Sequence, residues 1–170
     1  EIMIQAFVGA GGKTSLIRKY ANEYRAEGKK VFVTTTTHMF IEEDTLLTDD
    51  AEEIIRALQK TGYAMAGIPE GKKITSLSER TYREVCKYAD VVLVEADGSK
   101  HMPIKFPDEK EPVIPANADE IIIVKDGALK AQGLPAEVMT VDSLAATFGV
   151  KADIFVNSQR DILFERHIQW

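Results

Sequence analysis

Three glycines in four positions, Gly9, Gly11 and Gly12, run directly into Lys13-Thr14-Ser15. With no Cβ in the way, backbone N–H groups in such a stretch can turn inward on an anion. Lys13 would then reach the β- and γ-phosphates of a nucleotide as a point charge, and the Thr14 hydroxyl would hold magnesium. The apolar run before the glycines, Ile2 to Val8, reads as a strand. Leu16 to Tyr24 reads as a helix whose N-terminal dipole faces the same phosphates. Gly9, Ala10, Gly11, Gly12, Lys13, Thr14 and Ser15 are therefore the candidate nucleotide contacts. The fit departs from G-x-x-x-x-G-K-[ST] at its first position, where Phe7 stands in place of glycine. The loop is the tighter G-x-x-G-K-T-S, opened by Gly9. A plain glycine turn with a solvated lysine is the competing reading, and the strand-before, helix-after context argues against it.

A second chemical signal is Val91-Val92-Leu93-Val94-Glu95-Ala96-Asp97-Gly98. Four apolar residues ending in an acid make a Walker-B-like strand, expected to lie beside the phosphate loop. Acids at the carboxyl end of a parallel strand sit where α/β proteins bind ligands. Glu95 and Asp97 are two residues apart, so on continuing strand geometry they point the same way. One can hold magnesium while the other positions a nucleophile or substrate.

The hydroxyl run Thr34-Thr35-Thr36-Thr37 and His38 end the second expected strand. Thr35, Thr36 and His38 are candidate substrate contacts, although β-branched residues also suit a strand by propensity alone. Lys100, His101 and Lys105 follow the two acids. Phosphoryl transfer needs cations on the transferring group, which makes Lys105, ahead of Lys100, the stabilising lysine of this reading. A solvated charged loop is the alternative. Lys13, Glu95, Asp97 and Lys105 form the expected catalytic set; Thr14, Glu95 and Asp97 form the magnesium set. His38, Cys86, His101 and His167 are too scattered for a zinc site.

Positioning such a site takes a particular frame. Short apolar runs alternate with helical patterns, which predicts α/β architecture with a mainly parallel sheet between helical layers. The first helix is expected over about 13–26, with Gly28 at its C-terminal cap. A second strand at Val31 to Thr35 leads through a polar segment to about Asp50. Asp49 or Asp50 would cap a helix from Ala51 to Lys60. Further expectations are a third strand Tyr63 to Ala66, a helix Ser78 to Tyr88 and a strand Ile121 to Val124. Asp97 to Pro115, with four prolines, is expected as an irregular site-forming loop. A short helix Asp142 to Phe148, a strand Ile154 to Val156 and a short helix Ile162 to Trp170 complete the list.

At 170 residues a single domain is the expectation, large enough for a core without staples. The net charge of −6 implies no broad basic face, so nucleic acid and anionic membranes are not the expected partners. One cysteine, Cys86, excludes an internal disulfide framework, suits a cytoplasmic location and fits buried packing on a helix face. No apolar run approaches the roughly 18 residues a membrane helix needs, and the apolar start reads as a strand, not a signal peptide.

Four segments occur in order: Gly9 to Thr14, Thr34 to His38, Glu95-Ala96-Asp97-Gly98-Ser99 and Glu111-Pro112-Val113-Ile114-Pro115. Together they resemble the YqeC family over about residues 4–149. The resemblance implies a P-loop NTPase fold of three α/β/α layers and a cytoplasmic role in maturing selenium-dependent molybdenum hydroxylases. It supports Gly9, Gly12, Lys13 and Thr14 at nucleotide and magnesium, Glu95 and Asp97 at metal or substrate, and Lys105 with Pro107 in the adjoining loop. It supplies no reaction. The region from Val150 onward is short for such proteins: either a compact member, or a chain with further residues after about 150.

Where P-loop proteins often carry the guanine-reading N-K-x-D, this chain has Asn157-Ser158-Gln159-Arg160-Asp161. That favours ATP over GTP. The loop is also similar to that of Mur-type ligases, and the Val94 to Gly98 segment to dethiobiotin-synthetase-like enzymes, both of which activate a carboxylate with ATP. The expectation is therefore a magnesium-dependent ATPase or ATP-dependent activating enzyme, with a small acceptor or a maturation protein as partner. The alternative is a nucleotide-gated chaperone or scaffold with little intrinsic turnover.

Overall fold

The computed structural model describes residues 1–96, 117–138, 152–156 and 162–166, the last two stretches as backbone. The first strand, β1 (Met3–Ala10), feeds helix α1 (Lys13–Ala26), and β2 (Val31–Thr35) follows. Two short strands, β3 (His38–Phe40) and β4 (Leu46–Leu47), precede α2 (Ala51–Thr61). Then come β5 (Tyr63–Glu70), β6 (Lys73–Thr75), α3 (Glu79–Cys86) and β7 (Val91–Glu95). The remaining elements are β8 (Glu120–Lys125), β9 (Ala128–Gly133), the short α4 (Pro135–Val138), β10 (Ala152–Val156) and β11 (Ile162–Arg166).

Strands β1 to β9 form one sheet in the order β3-β6-β5-β2-β7-β1-β8-β9, with β4 alongside β5. Its centre, β5-β2-β7-β1-β8, is parallel throughout; β3, β6 and β9 join antiparallel at the two flanks. The sheet is mixed but mainly parallel.

Alternation along the central strands sends side chains to both faces. Phe32, Val92 and Val94 pack with Ile54 and Leu58 of α2 and with Val85 and Cys86 of α3. Their neighbours Val31, Val33, Val91 and Leu93 pack on the opposite face against Ile17 and Ala21 of α1. A sheet covered on both faces explains why β7 is apolar without interruption until Glu95. Chain entry into the helices is fixed by side chains in two cases. The Asp50 carboxylate accepts from the Glu52 N–H at 2.9 Å, and the Ser78 hydroxyl accepts from the Thr81 N–H at 3.3 Å. Gly28 and Gly62 take positive φ of 80° and 73° just past α1 and α2, where a left-handed residue closes a helix.

Several expectations change. The polar stretch before Asp50 contains β3 and β4, and the third strand runs on to Glu70 because β6 turns back to pair with it. Between Ile121 and Gly133 the chain forms a hairpin that apolar patterning alone does not announce, since β9 is largely exposed. The expected short helix from Ile162 is instead strand β11, antiparallel to β10 with Ala152 opposite Arg166. A segment this short has little helical stability of its own, and a neighbouring strand offers it backbone partners. The expected helix Asp142 to Phe148 lies outside the described residues. Among the described residues no helix is long and apolar enough to cross a membrane.

The core carries a pH signature. Burial pushes the Cys86 thiol up to about 11 and the Tyr63 phenol up to about 12, and raises Tyr82 as well. Each of these acids is held protonated in the folded chain above its unfolded value. Their stabilisation is complete below about pH 9 and is lost as pH rises through the folded values. Denaturant titrations are expected to give a midpoint that is level from pH 7 to about 9 and falls steadily above it. A midpoint rising above pH 9 would contradict this packing.

Candidate functional site

The parallel register brings the two sequence signals together. Glu95, the last residue of β7, lies opposite Phe7 of β1 on one side and Thr35 of β2 on the other. Two residues beyond Phe7 the chain enters the glycine loop, so the loop and the acid share the carboxyl edge of the sheet. There the Thr14 hydroxyl donates to Glu95 Oε2 at 3.1 Å. Lys13 folds back over the loop, its Nζ donating to the Gly9 carbonyl at 2.7 Å. Lys13 and Glu95 are both nearly out of solvent, at 8% and 7% exposure. A lysine and a carboxylate are rarely buried to this degree without a specific role or partner.

Helix α1 starts differently from the other two long helices. Its N-cap is Gly12, which offers no side chain, and its first turn has no acid. Both α2 and α3 have side-chain caps and acids in the first turn. The N-terminus of α1, beside Lys13, thus has neither a capping side chain nor an acid of its own, and a helix N-terminus suits an anion. Ser15 sits exposed on the first turn of α1.

Among the candidate substrate residues the structure distinguishes sharply. The Thr34 hydroxyl donates to the Ala66 carbonyl at 2.9 Å, Thr35 to Glu95 O at 2.8 Å and Thr36 to Ala96 O at 3.3 Å. The Thr36 N–H also donates to Glu95 O at 3.0 Å. These hydroxyls staple the end of β2 to β5 and β7, which fixes the backbone that presents Glu95. Thr37 differs: its N–H donates to the Thr35 hydroxyl at 3.0 Å, while its own buried Oγ1 has no hydrogen-bond partner among the described residues. His38 lies on β3 at the far flank of the sheet and pairs with Glu70 at 2.5 Å, so it is not brought to the loop. Asp97, Lys100, His101, Lys105, Pro107, the Glu111 to Pro115 segment and Asn157 to Asp161 lie outside the described residues.

One contact escaped the sequence reading. The β8–β9 turn, Asp126-Gly127, rests against the glycine loop. Gly9 and Ala10 pair with Val124 and Lys125, and the Gly127 N–H donates to the Gly11 carbonyl at 3.0 Å. A Cβ on Gly9 would stand 1.9 Å from the Val124 carbonyl oxygen, and one on Gly12 would stand 2.3 Å from the Gly127 Cα. Both glycines also hold positive φ, 120° and 85°. The sequence did carry a signal for the turn, since Asp-Gly is a strong two-residue hairpin dipeptide.

Two stability measurements check this geometry. Gly9→Ala and Gly12→Ala are each expected to cost about 2 kcal/mol or more in denaturant unfolding with no nucleotide present, because backbone blocks the added methyl. Little or no loss would mean that the hairpin does not abut the loop. Thr37→Val, which removes a buried hydroxyl with no partner among the described residues, is expected to stabilise the chain by about 1 kcal/mol. A comparable loss would show that the hydroxyl is satisfied.

A protein-family model, that of the YqeC protein, matches residues 5–141. A protein of Escherichia coli (strain K12), described as "Uncharacterized protein YqeC", is 37% identical over 131 residues, which cover 71% of this chain and 50% of that protein. The chain spans about half the length of this relative. The family match takes in most of the chain, with both the glycine loop and the acid-bearing strand inside it, so the chain belongs to the YqeC family.

Proposed function

We propose that this chain is a P-loop protein that binds a nucleoside triphosphate with magnesium, ATP in preference to GTP, and hydrolyses it or transfers its phosphoryl group. The observation that carries the reading is the hydrogen bond between Thr14 and Glu95 at the carboxyl edge of a parallel sheet, with Lys13 beside it. Thr14 Oγ1 and Glu95 Oε2 are hard oxygen donors close enough to share one small cation. Magnesium favours such a site, taking one or two protein oxygens and completing its shell with phosphate and water. When bound, the ion would neutralise charge on the phosphate oxygens.

The chain's own contributions follow from their placement. Lys13 would exchange its bond to the Gly9 carbonyl for the β- and γ-phosphates. The N–H groups at the start of α1 would take further phosphate oxygens. Thr35 and Thr36, bonded to the carbonyls of Glu95 and Ala96, hold that strand end in place and act on the nucleotide through Glu95. Asp97, Lys100, His101 and Lys105 remain part of the proposal from sequence, Asp97 at the metal and the cations at the acceptor. The sequence Asn157 to Asp161, which departs from the guanine-reading pattern, supports ATP. Family resemblance supports a cytoplasmic role in maturing a selenium-dependent molybdenum hydroxylase, with a maturation protein or a small acceptor as partner.

A second reading, a nucleotide-gated chaperone with slow turnover, draws on one observation. Arg18 is paired with Glu42 and Arg83 with Glu79, so these arginines are engaged away from the loop. Phosphate release that rises only with a protein partner would favour it.

Thermal unfolding tests the common core of both readings. ATP with magnesium at 100 times its Kd is expected to add about 2.7 kcal/mol, a clear rise in midpoint. Lys13→Ala should abolish that rise. If neither ATP nor GTP moves the midpoint, or if Lys13→Ala responds as the unaltered chain does, nucleotide binding is refuted.

A further inference from the structure

The glycine loop is held from outside as well as from within. Its inner bond is the Lys13 ammonium on the Gly9 carbonyl. Its outer bond is the Gly127 N–H on the Gly11 carbonyl, supplied by a turn far along the chain. That turn closes β8 to β9 with two left-handed residues, Asp126 at φ 52° and Gly127 at φ 76°. Such a pair of positive φ values is the hairpin geometry in which Asp-Gly is favoured.

The outer bond has a directional consequence. Across a trans peptide the carbonyl of one residue and the N–H of the next point in opposite directions. Because the Gly11 carbonyl is drawn toward the hairpin, the Gly12 N–H is turned away from the hairpin. The same contact leaves no room for a side chain at Gly12, whose Cβ position lies 2.3 Å from the Gly127 Cα. One turn thus sets both the orientation of the 11–12 peptide and the identity of residue 12.

We infer that the Asp126-Gly127 turn is a positioning element of the nucleotide site, which presets the Gly12 N–H toward phosphate oxygens. The inference rests on the proposed nucleotide binding and adds to it a structural cause for the loop's conformation. It also gives the short loop a means of staying shaped without the first glycine of the longer motif. Asp126 enters through the turn rather than through its charge. Its Oδ1 lies 3.9 Å from the Gly11 Cβ position, and a carboxylate there opposes a phosphate more than it helps one.

Two variants of the full chain separate turn from charge. Asp126→Asn keeps a dipeptide that favours the same turn and removes the carboxylate; titration calorimetry with magnesium and ATP should show affinity unchanged or tighter. A variant with one glycine inserted between Asp126 and Gly127 moves the Gly127 N–H off Gly11. It should bind about tenfold more weakly or worse, with its nucleotide-free midpoint little changed. Amide exchange on the unaltered chain gives a reading independent of mutation: the Gly127 N–H should be protected before ATP is added and remain so afterwards.

A folded insertion variant that binds like the unaltered chain overturns the inference, as does a weaker Asp126→Asn. If the insertion variant does not fold, the exchange measurement decides: a Gly127 amide exchanging freely without ATP overturns it. An unaltered chain that binds no nucleotide refutes the proposed function instead. A Gly127 amide protected in that chain would leave the turn's hold on the loop standing as structure alone.

Discussion

The parallel pairing of β1 with β7 is the constraint on which the site depends. Register places Phe7 opposite Glu95, and everything at the carboxyl edge follows from that alignment. A one-residue slip would turn the apolar residues of β7 to the wrong faces, exchanging those that meet α1 with those that meet α2 and α3. The cost of that exchange protects the register. Core packing and site geometry are therefore the same fact seen from two ends of one strand. The hydroxyl staples from β2 reinforce it where the strands run out and ladder bonding stops.

Sequence made much of this legible, and the reasons are physical. The loop showed because glycine, lysine and threonine at fixed spacing have few other uses, and the acid-bearing strand because a doubly covered strand must be apolar until it leaves the core. The start of α2 showed as far as Asp49 or Asp50, because an aspartate there can bond to the backbone nearby; the structure selects Asp50. What stayed hidden depends on distant partners. Strands β3, β4 and β6 are too short for periodicity to speak, and their pairing comes from hydrogen bonds made elsewhere. Strand β11 exists through β10. The exposed β9 has little apolar pattern to read, although its turn dipeptide was in view.

The threonine run shows how one residue type can hold two meanings. By composition the four hydroxyls are equivalent, and a ligand-facing row was a fair expectation. Three of them are spent on carbonyls of neighbouring strands. Sequence offers no means of separating these from Thr37, because the difference lies in which carbonyls the adjacent strands happen to present. His38 illustrates the same limit: three residues past Thr35 in the chain, it belongs to an edge strand of the sheet.

The walls of the glycine loop are drawn from far along the chain. Thr14 meets Glu95 across 81 residues, and the Gly11 carbonyl accepts from the N–H of Gly127, still further along the chain. The motif precedes both strands in the chain, yet no partly folded state lacking β7 and β8 can contain the site. Contacts of such long range form late, because loop closure must be paid before they reward it. The shape of the loop is thus a property of the finished sheet, and folding itself becomes the first gate on the binding proposed for it.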